Sequence, residues 1–218
     1  MIKTIIFDLD GTILDTIYDL NAALNHTFAE FNLSKVSVQK TRDNLGNGIK
    51  RLISDSMESN SNLSIDNLFN IFMDYYYNNV DVYTKPFDGI PELLQELKNK
   101  GFKLAVISNK NIKPLSLLIN NHYPNIFNCV YGDGMGYKRK PDSEIVLKCL
   151  EELDTKPEET IYVGDSDIDV NTVNNVGCHG VFVSYGYRRK ELLIENGAKI
   201  ICDSVKELKD YLIKFNCN

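Results

Sequence analysis

The amino-acid sequence predicts an α/β protein, a doubly wound parallel sheet into which an all-helical segment is inserted. Short β-branched and apolar runs alternate with helical patterns from residue 85 onward. One further strand, Thr4–Phe7, opens the chain, and residues 16–84 show only helical periodicity. Because that helical block is too long for one crossover connection, we expect a core domain of residues 1–15 and 85–218 and a helical domain of residues 16–84.

The inserted segment is predicted to consist of helices joined by short polar stretches. Apolar residues recur at three- and four-residue steps over 15–31 and again over 65–76, which is the spacing of a helix with one buried face. A glycine-rich stretch at 46–48 introduces a short helix that begins near residue 49. Residues 60–62 are polar and small, and they indicate a loop.

The remainder of the chain is predicted to alternate strands with helices. Gly101, for example, ends one helix just before an apolar strand. Such alternation indicates right-handed crossovers and a parallel sheet. The predicted strands span 103–107, 129–131, 160–163, 181–183 and 200–201. The predicted helices span 93–100, 112–121, 142–153, 167–176 and 205–212.

Composition limits the classes of function that the chain can have. With 43% apolar and 25% charged residues over 218 positions, it has the composition of a globular protein with a substantial core. The formal net charge of −6 gives no basic surface for nucleic acid or an anionic membrane. The five cysteines lack a C-x-x-C spacing, so we expect reduced and mostly buried thiols. Without a leader sequence or a long apolar stretch, a cytoplasmic protein is expected, either a monomer or a homodimer.

The first predicted strand ends in two acidic residues. Asp8 and Asp10 follow Thr4–Phe7 two positions apart, so strand alternation directs both side chains the same way. Two like charges at that distance repel each other, and a bound divalent cation relieves the repulsion. Carboxylate oxygens suit a hard cation such as Mg²⁺. A lone Asp-x-Asp sequence is also compatible with an acidic strand end that binds nothing, so this interpretation depends on the rest of the chain.

Other chemically useful side chains follow the later strands. Ser108 and Asn109 follow one predicted strand, Lys140 comes after the next, and Asp165 and Asp169 follow a third. Ligands of an open parallel sheet bind at these carboxyl ends. Taken singly, Ser108 and Asp165 are also typical helix caps, and Lys140 is a typical surface cation. Together with the acidic pair, they match phosphoryl transfer through an aspartate, which needs a nucleophile, a metal, phosphate donors and a positive charge.

Two other kinds of site are excluded letter by letter. The acidic run that starts at Asp165 opens like a calcium-binding loop, but Val170 occupies the position of its glycine and Val176 that of its final glutamate. The glycine-rich loop at 132–136 lacks the spacing of a dinucleotide-binding motif, and no P-loop sequence occurs.

Four segments together resemble the haloacid dehalogenase superfamily of phosphohydrolases, whose core is a Rossmann-like sheet. The similarity extends over essentially the whole chain, and the helical insertion is similar to the small helical cap of that superfamily. The phosphoglycolate phosphatase-like branch resembles the chain most, in its cap glycines and in a C-terminal segment that starts here at Tyr185. The four segments are Asp8-Leu-Asp-Gly-Thr12, Ser108-Asn-Lys110, Lys140-Pro141 and Gly164-Asp-Ser-Asp-Ile-Asp169.

The resemblance implies a Mg²⁺-dependent phosphatase that acts on a small phosphorylated metabolite. Asp8 would attack phosphorus to form an aspartyl-phosphate, and Asp10 would protonate the leaving oxygen and then activate water. Lys140 would lie between Asp8 and the phosphate and supply positive charge. Asp8, Asp165 and the backbone carbonyl of Asp10 would bind the metal, with Asp169 supporting them directly or through water.

The same resemblance implies how the substrate is held. Thr12, Ser108 and Asn109 would bind the phosphate oxygens. A glycine-rich loop in the helical cap would approach the anionic end of the substrate through backbone N–H groups, although a plain turn between helices explains that loop equally well. The residues of this cap loop are Gly46, Asn47 and Gly48.

Three other activities on the same scaffold stay open, namely inorganic pyrophosphatase, nucleotidase and β-phosphoglucomutase-like phosphoryl transfer. A non-enzymatic alternative is a phospho-receiver signalling module, which also gathers aspartates, a hydroxyl and a lysine at strand ends. The second aspartate at position 10, the acidic segment at 164–169 and the helical insertion favour turnover over signalling. A stable aspartyl-phosphate with negligible hydrolysis would favour the receiver.

Overall fold

The computed structural model describes residues 1–57 and 63–215. The loop predicted at 60–62 and the thiol of Cys217 lie outside these ranges. The four described cysteines are free, and three of them are buried. Within the described part of the chain, no helix has both the length and the apolar composition needed to cross a bilayer.

Two compact units make up the chain. We call Met1–Asp15 with Pro86–Asn218 the core unit, and Thr16–Lys85 the helical unit. The described helices of the helical unit are Ile17–Ala29 (α1), Val38–Asn44 (α2), Ile49–Ser56 (α3) and Ile65–Asn78 (α4). Those of the core unit are Ile90–Asn99 (α5), Ile112–His122 (α6), Glu144–Glu152 (α7), Asp167–Val176 (α8), Lys190–Glu195 (α9) and Val205–Leu212 (α10).

The strands form one large sheet and one small one. In chain order the described strands are Thr4–Phe7 (β1), Leu14–Asp15 (β2), Lys85–Pro86 (β3), Lys103–Asn111 (β4), Cys129–Asp133 (β5), Thr160–Gly164 (β6), His179–Val183 (β7) and Ile201–Cys202 (β8). The large sheet has the order β5-β4-β1-β6-β7-β8, and all of its neighbouring strands are parallel. Strands β2 and β3 pair separately. The predicted parallel α/β fold is therefore confirmed.

Strand β1 is central and buried on both faces, as its composition predicts. Ile6 belongs to a cluster that includes Ala105 of β4, Tyr162 of β6 and apolar residues of α7 and α8. Its neighbours Ile5 and Phe7 point to the opposite face because side chains alternate along a strand, and they are fully buried as well. Side chains on both faces of this central strand are thus buried, as expected for a doubly wound sheet.

Several elements differ from the sequence-based expectation, including the two-residue strands β2 and β3, which the sequence analysis did not predict. Strand β4 continues through 108–111, although its apolar run ends at residue 107, and the register of its pairing with β5 shifts between Ile107 and Asn111. This extension is polar and depends on pairing with β5, which a hydrophobic pattern does not report. Helices α2 and α9 are too short to show a helical period, and the sequence analysis missed both.

A buried carboxylate joins the first helix of the helical unit to the last residues of that unit. Asp19 of α1 is only 2% exposed. It accepts hydrogen bonds from the backbone N–H groups of Tyr83 and Thr84 and from the Thr84 hydroxyl, at 2.8 to 3.0 Å. Because a buried carboxylate is stable only when hydrogen bonds replace its hydration, these contacts fix where the chain leaves the helical unit.

Candidate active site

The carboxyl end of β1 places Asp8 in the middle of the large sheet. Strand β1 lies between β4 and β6, and the N–H of Asp8 donates to the carbonyl of Val163 at 2.8 Å. The strand order reverses here, because the strands that follow along the chain add to opposite sides of β1. Ligands of open α/β sheets bind at such a switch point.

Lys140 connects acidic residues that follow two different strands. Its ammonium nitrogen lies 2.8 Å from Oδ1 of Asp8, 2.7 Å from Oδ1 of Asp169 and 2.9 Å from the hydroxyl of Tyr162. A lysine ammonium carries three N–H donors, so these three partners match its donors. The side chain of Lys140 is buried, which distinguishes it from the surface cation that its sequence neighbours suggest.

Tyr162 is a residue of the site that the sequence analysis missed. It lies inside β6, where a tyrosine in an apolar strand is expected to be core, and its side chain is fully buried. Besides Lys140, its hydroxyl lies 3.1 Å from Oδ1 of Asp169 and 3.3 Å from the carbonyl oxygen of Ile107. The available signal was weak: a buried tyrosine hydroxyl needs a polar partner, but nothing in the sequence says which one.

Asp165 and Asp169 are positioned by the turn between β6 and α8. Ser166 caps the N-terminus of α8, and its side chain and backbone N–H bond reciprocally with Asp169, which fixes that carboxylate in the first helical turn. Asp165 accepts hydrogen bonds from the N–H of Tyr187 at 2.6 Å and from the hydroxyl of Thr12 at 3.4 Å. Hydrogen bonds therefore fix the orientation of each of these two carboxylates.

The three acids form one buried cluster. Asp8, Asp165 and Asp169 each offer a carboxylate oxygen, and these oxygens all lie within 4.8 Å of one another. Burial raises the pKa of Asp8 to about 7, Lys140 acts against this increase, and Asp169 and Asp10 add to it. Burial is also the main cause that raises the pKa of Asp165 well above its usual range, and the charges of Asp8 and Asp169 contribute.

Lys140 stays charged despite its burial. Burial by itself lowers the pKa of a lysine, but the negative charges of Asp169 and Asp8 outweigh that effect and raise the pKa of Lys140 well above its usual value. Burial likewise raises the pKa of Tyr162, so its hydroxyl keeps its proton and can donate. The cluster thus combines three carboxylates with one permanent ammonium charge.

This donor set fits a divalent cation. Burial and the neighbouring carboxylates raise the pKa values of Asp8 and Asp165, so full ionisation of the cluster is unfavourable unless positive charge is added. A divalent cation among the carboxylate oxygens would supply that charge, and oxygen donors are the ligands of hard cations. The buried aspartate cluster can therefore hold such an ion.

The predicted phosphate-binding residues lie around the same cluster. Thr12 is buried, and its hydroxyl faces Asp165. Ser108 is also buried, and its hydroxyl oxygen accepts a hydrogen bond from the N–H of Lys110 at 3.2 Å. Asn109 donates from its side-chain amide to the backbone carbonyl of Lys140 at 2.9 Å, so it joins the second segment of the site to the third.

The remaining predicted residues occupy two different places. Asp10 lies in the core unit, and its Oδ1 atom is 2.8 Å from the ammonium nitrogen of Lys110. Gly46, Asn47 and Gly48 lie in the helical unit between α2 and α3, and both glycines have a positive φ, at 116° and 84°. That backbone conformation explains the glycines as well as substrate contact does.

The segment 185–187 packs tightly against the cluster. The hydroxyl of Tyr185 donates to the carbonyl of Thr12 at 3.0 Å, and the N–H of Tyr187 donates to Asp165. A Cβ atom placed on Gly186 would lie 2.5 Å from Oδ2 of Asp165 and 2.5 Å from the carbonyl oxygen of Gly11. The absence of a side chain at Gly186 therefore lets this segment fix Asp165.

We expect Gly186→Ala to weaken divalent-cation binding by about 10- to 100-fold, the effect of disturbing the groups that orient a metal ligand. The added methyl group has no space beside Asp165, so either that carboxylate or the segment 185–187 must move. Titration calorimetry with Mg²⁺ measures the affinity. Gly197→Ala is the comparison variant: the φ of 96° at Gly197 makes alanine unfavourable for the backbone, but the added methyl group meets no atom within 4 Å and leaves Asp165 untouched. Equal cation affinity in both variants would contradict this prediction.

Comparisons with known proteins agree with this geometry. A family model described as haloacid dehalogenase-like hydrolase matches residues 5–183. A phosphoglycolate phosphatase of Aquifex aeolicus is 33% identical over an alignment of 218 positions, which covers 98% of this chain and all of the relative. An N-acetylmuramic acid 6-phosphate phosphatase of Pseudomonas aeruginosa is 28% identical and covers 100% of this chain and 97% of its own.

A solved structure shows the same architecture. The crystal structure of a protein from Lactobacillus delbrueckii subsp. bulgaricus, provisionally assigned as a phosphoglycolate phosphatase, superposes with a TM-score of 0.89 at 29% identity. The superposition covers 96% of this chain and 98% of that protein. The family model, the full-length relatives and this structure all point to one family. The chain therefore belongs to the haloacid dehalogenase-like hydrolases.

Proposed function

We propose that this hydrolase is a Mg²⁺-dependent phosphatase that cleaves a small organic phosphomonoester through an aspartyl-phosphate on Asp8. The observation that carries the proposal is the position of Lys140, whose ammonium lies between Asp8 and Asp169 beside the third acid, Asp165. A nucleophilic carboxylate, a fixed positive charge and a cation site thus share one buried space. These are the requirements of phosphoryl transfer to an aspartate.

In the first step, a carboxylate oxygen of Asp8 bonds to phosphorus while the bond from phosphorus to the ester oxygen breaks. Asp10 donates its proton to that leaving oxygen, so the product departs as an alcohol. Lys140 holds Asp8 in place and offsets the negative charge that gathers on the phosphoryl group. Thr12, Ser108 and Asn109 are proposed to bind the phosphoryl oxygens.

In the second step, Asp10 takes a proton from water, and the resulting oxygen attacks phosphorus and releases phosphate from Asp8. One carboxyl group can perform both transfers, because the first step leaves it ionised and the second restores its proton. Asp8, Asp165 and the backbone carbonyl of Asp10, supported by Asp169, would hold Mg²⁺, which when bound reduces the repulsion between the carboxylate nucleophile and the phosphate.

A phosphomonoester of a small organic acid is the proposed substrate class. The relatives described above bear the names of phosphatases for phosphoglycolate and for N-acetylmuramic acid 6-phosphate, and both compounds combine a carboxylate with a phosphomonoester. The role of Gly46, Asn47 and Gly48 in reading the substrate stays a prediction. Membership of a hydrolase family argues against the phospho-receiver alternative.

A phosphate-release screen tests the proposed function. The panel contains phosphoglycolate, N-acetylmuramic acid 6-phosphate, pyrophosphate, nucleoside monophosphates and hexose phosphates, each assayed with Mg²⁺ and with a chelator and ranked by kcat/KM. We expect phosphate release that depends on Mg²⁺, with an acidic monoester preferred over pyrophosphate by at least about 10-fold. A preference for pyrophosphate or nucleotides, formation of an isomer, or full activity in the chelator would each contradict the proposal.

A further inference from the structure

A second buried lysine lies near the proposed reaction and has no role in the mechanism above. Lys110 is 8% exposed, and its ammonium nitrogen is 2.8 Å from Oδ1 of Asp10. Burial of an ammonium group costs free energy unless a charged or polar partner compensates it. The contact with Asp10 provides such compensation, and it restricts the directions in which the Asp10 carboxyl group can point.

The backbone of Lys110 is itself firmly placed. Its N–H donates to the hydroxyl of Ser108, and it lies where the register of β4 and β5 shifts. On the neighbouring strand, a Cβ atom on Gly132 would lie 2.8 Å from the carbonyl oxygen of Lys110, so the two backbones are in close contact. Shifts of this kind redirect side chains beside functional sites. The side chain of Lys110 therefore projects from a strand that is paired and closely packed, and not from a loop.

The two buried lysines have separate partners in the site. Lys140 contacts Asp8, Asp169 and Tyr162, whereas Lys110 contacts Asp10. One ammonium thus adjoins the proposed nucleophile, and the other adjoins the proposed acid and base. The second pairing joins residues from the ends of two adjacent strands, β1 and β4.

We propose that Lys110 is a positioning residue that holds the Asp10 carboxyl group where it can reach first the leaving oxygen and then the attacking water. The inference rests on the proposed function, in which Asp10 is the general acid and base. Proton transfer requires hydrogen-bond reach, and a displacement of about 1 Å can lower a rate by about 100-fold. Without Lys110, the Asp10 side chain would lose this contact, and its carboxyl group would be held less closely towards the ester oxygen.

Two simpler roles give different results in an experiment. A purely structural ion pair would affect thermal stability and would slow all substrates equally when it is removed. If Lys110 bound the phosphate group directly, its removal would raise KM for every phosphomonoester by a similar factor. A residue that positions the proton donor instead makes the loss depend on how much the leaving group needs a proton.

The test compares Lys110→Met on phosphoglycolate and on 4-nitrophenyl phosphate. The alkoxide of phosphoglycolate leaves only with a proton, whereas nitrophenolate is stable without one. Because kcat/KM reports the steps up to departure of the alcohol, we expect it to fall by about 100-fold with phosphoglycolate and by less than about 5-fold with 4-nitrophenyl phosphate. The aspartyl-phosphate, trapped by acid quenching, should accumulate during turnover of 4-nitrophenyl phosphate, because water activation is slowed as well.

Three further variants complete the experiment. Lys110→Arg keeps the charge beside Asp10 and should recover most of the activity, whereas Lys113→Met removes an exposed lysine of α6 and should change nothing. Asp10→Asn removes the proton donor itself and sets the largest discrimination between the two substrates. If Asp10→Asn discriminates and Lys110→Met does not, this inference is wrong and the proposed function stands. If Asp10→Asn does not discriminate either, the proposed function is wrong and the inference falls with it.

Discussion

Asp8→Asn is expected to lower phosphate release by about 10⁴-fold or more, the scale on which enzymes lose activity without their nucleophile. An amide cannot form the bond to phosphorus that the Asp8 carboxylate is proposed to form, so no acid-stable phosphoenzyme should be trapped either. The measurements are steady-state phosphate release and acid-quenched labelling with a radioactive phosphomonoester. A variant that retains normal turnover would remove Asp8 from the mechanism.

The stability of the same variant shows whether the loss is chemical. Burial raises the pKa of Asp8 to about 7, so the ionised carboxylate destabilises the folded state at pH values above its ordinary, unfolded-state pKa. Asp8→Asn removes that charge, and its melting temperature in a chelator at pH 8 should equal or exceed that of the unchanged protein. Asp167→Asn is the matched control, because Asp167 follows β6 in the same acidic segment but pairs with Arg188 outside the cluster.

Lys140→Met is expected to lower kcat by about 10³-fold, at the upper end of what one charged donor to a transition state contributes. The methionine side chain is nearly as long as that of lysine, but it leaves Asp8 and Asp169 without the ammonium group between them. Breaking a buried ion pair in this way costs about 3 to 5 kcal/mol of folding free energy. Urea unfolding in a chelator and steady-state kinetics with Mg²⁺ measure the two effects separately.

Two comparison variants make the Lys140 result interpretable. Lys138→Met changes an exposed lysine two positions earlier and should leave both quantities near their original values. Tyr162→Phe removes one of the three partners of the ammonium and should reduce kcat by a smaller factor than Lys140→Met. Unchanged kinetics in Lys140→Met would show that the ammonium between Asp8 and Asp169 takes no part in turnover.

Much of the fold and part of the cluster were predictable because parallel strands align their carboxyl ends at one edge of a sheet. Asp8 and Asp165 directly follow strands whose apolar runs are evident in the sequence, and the structure brings their carboxylates together. Lys140 was predictable only in combination, since by itself it is one of three successive basic residues. The catalytic roles of these residues stay proposals until the variants are measured.

Other features depend on contacts between residues far apart in the chain. Tyr162 reads as an ordinary core residue of a strand, and its hydroxyl becomes part of the site only because Lys140 and Asp169 reach it. The pairing of Lys110 with Asp10 spans 100 positions and depends on a polar extension of β4 that no apolar pattern indicates. Gly186 carries no local signal for its contact with Asp165.

By itself, the sequence determined the class of the fold, the helical insertion and the acidic strand ends. These follow from local periodicity and from the rule that parallel strands share one edge. Only the tertiary structure decided which donors hold each acid, how far β4 extends and why position 186 has no side chain. The physical reason is that hydrogen bonds, charge burial and close backbone contact depend on distances of a few ångströms between segments, and local residue preferences do not encode those distances.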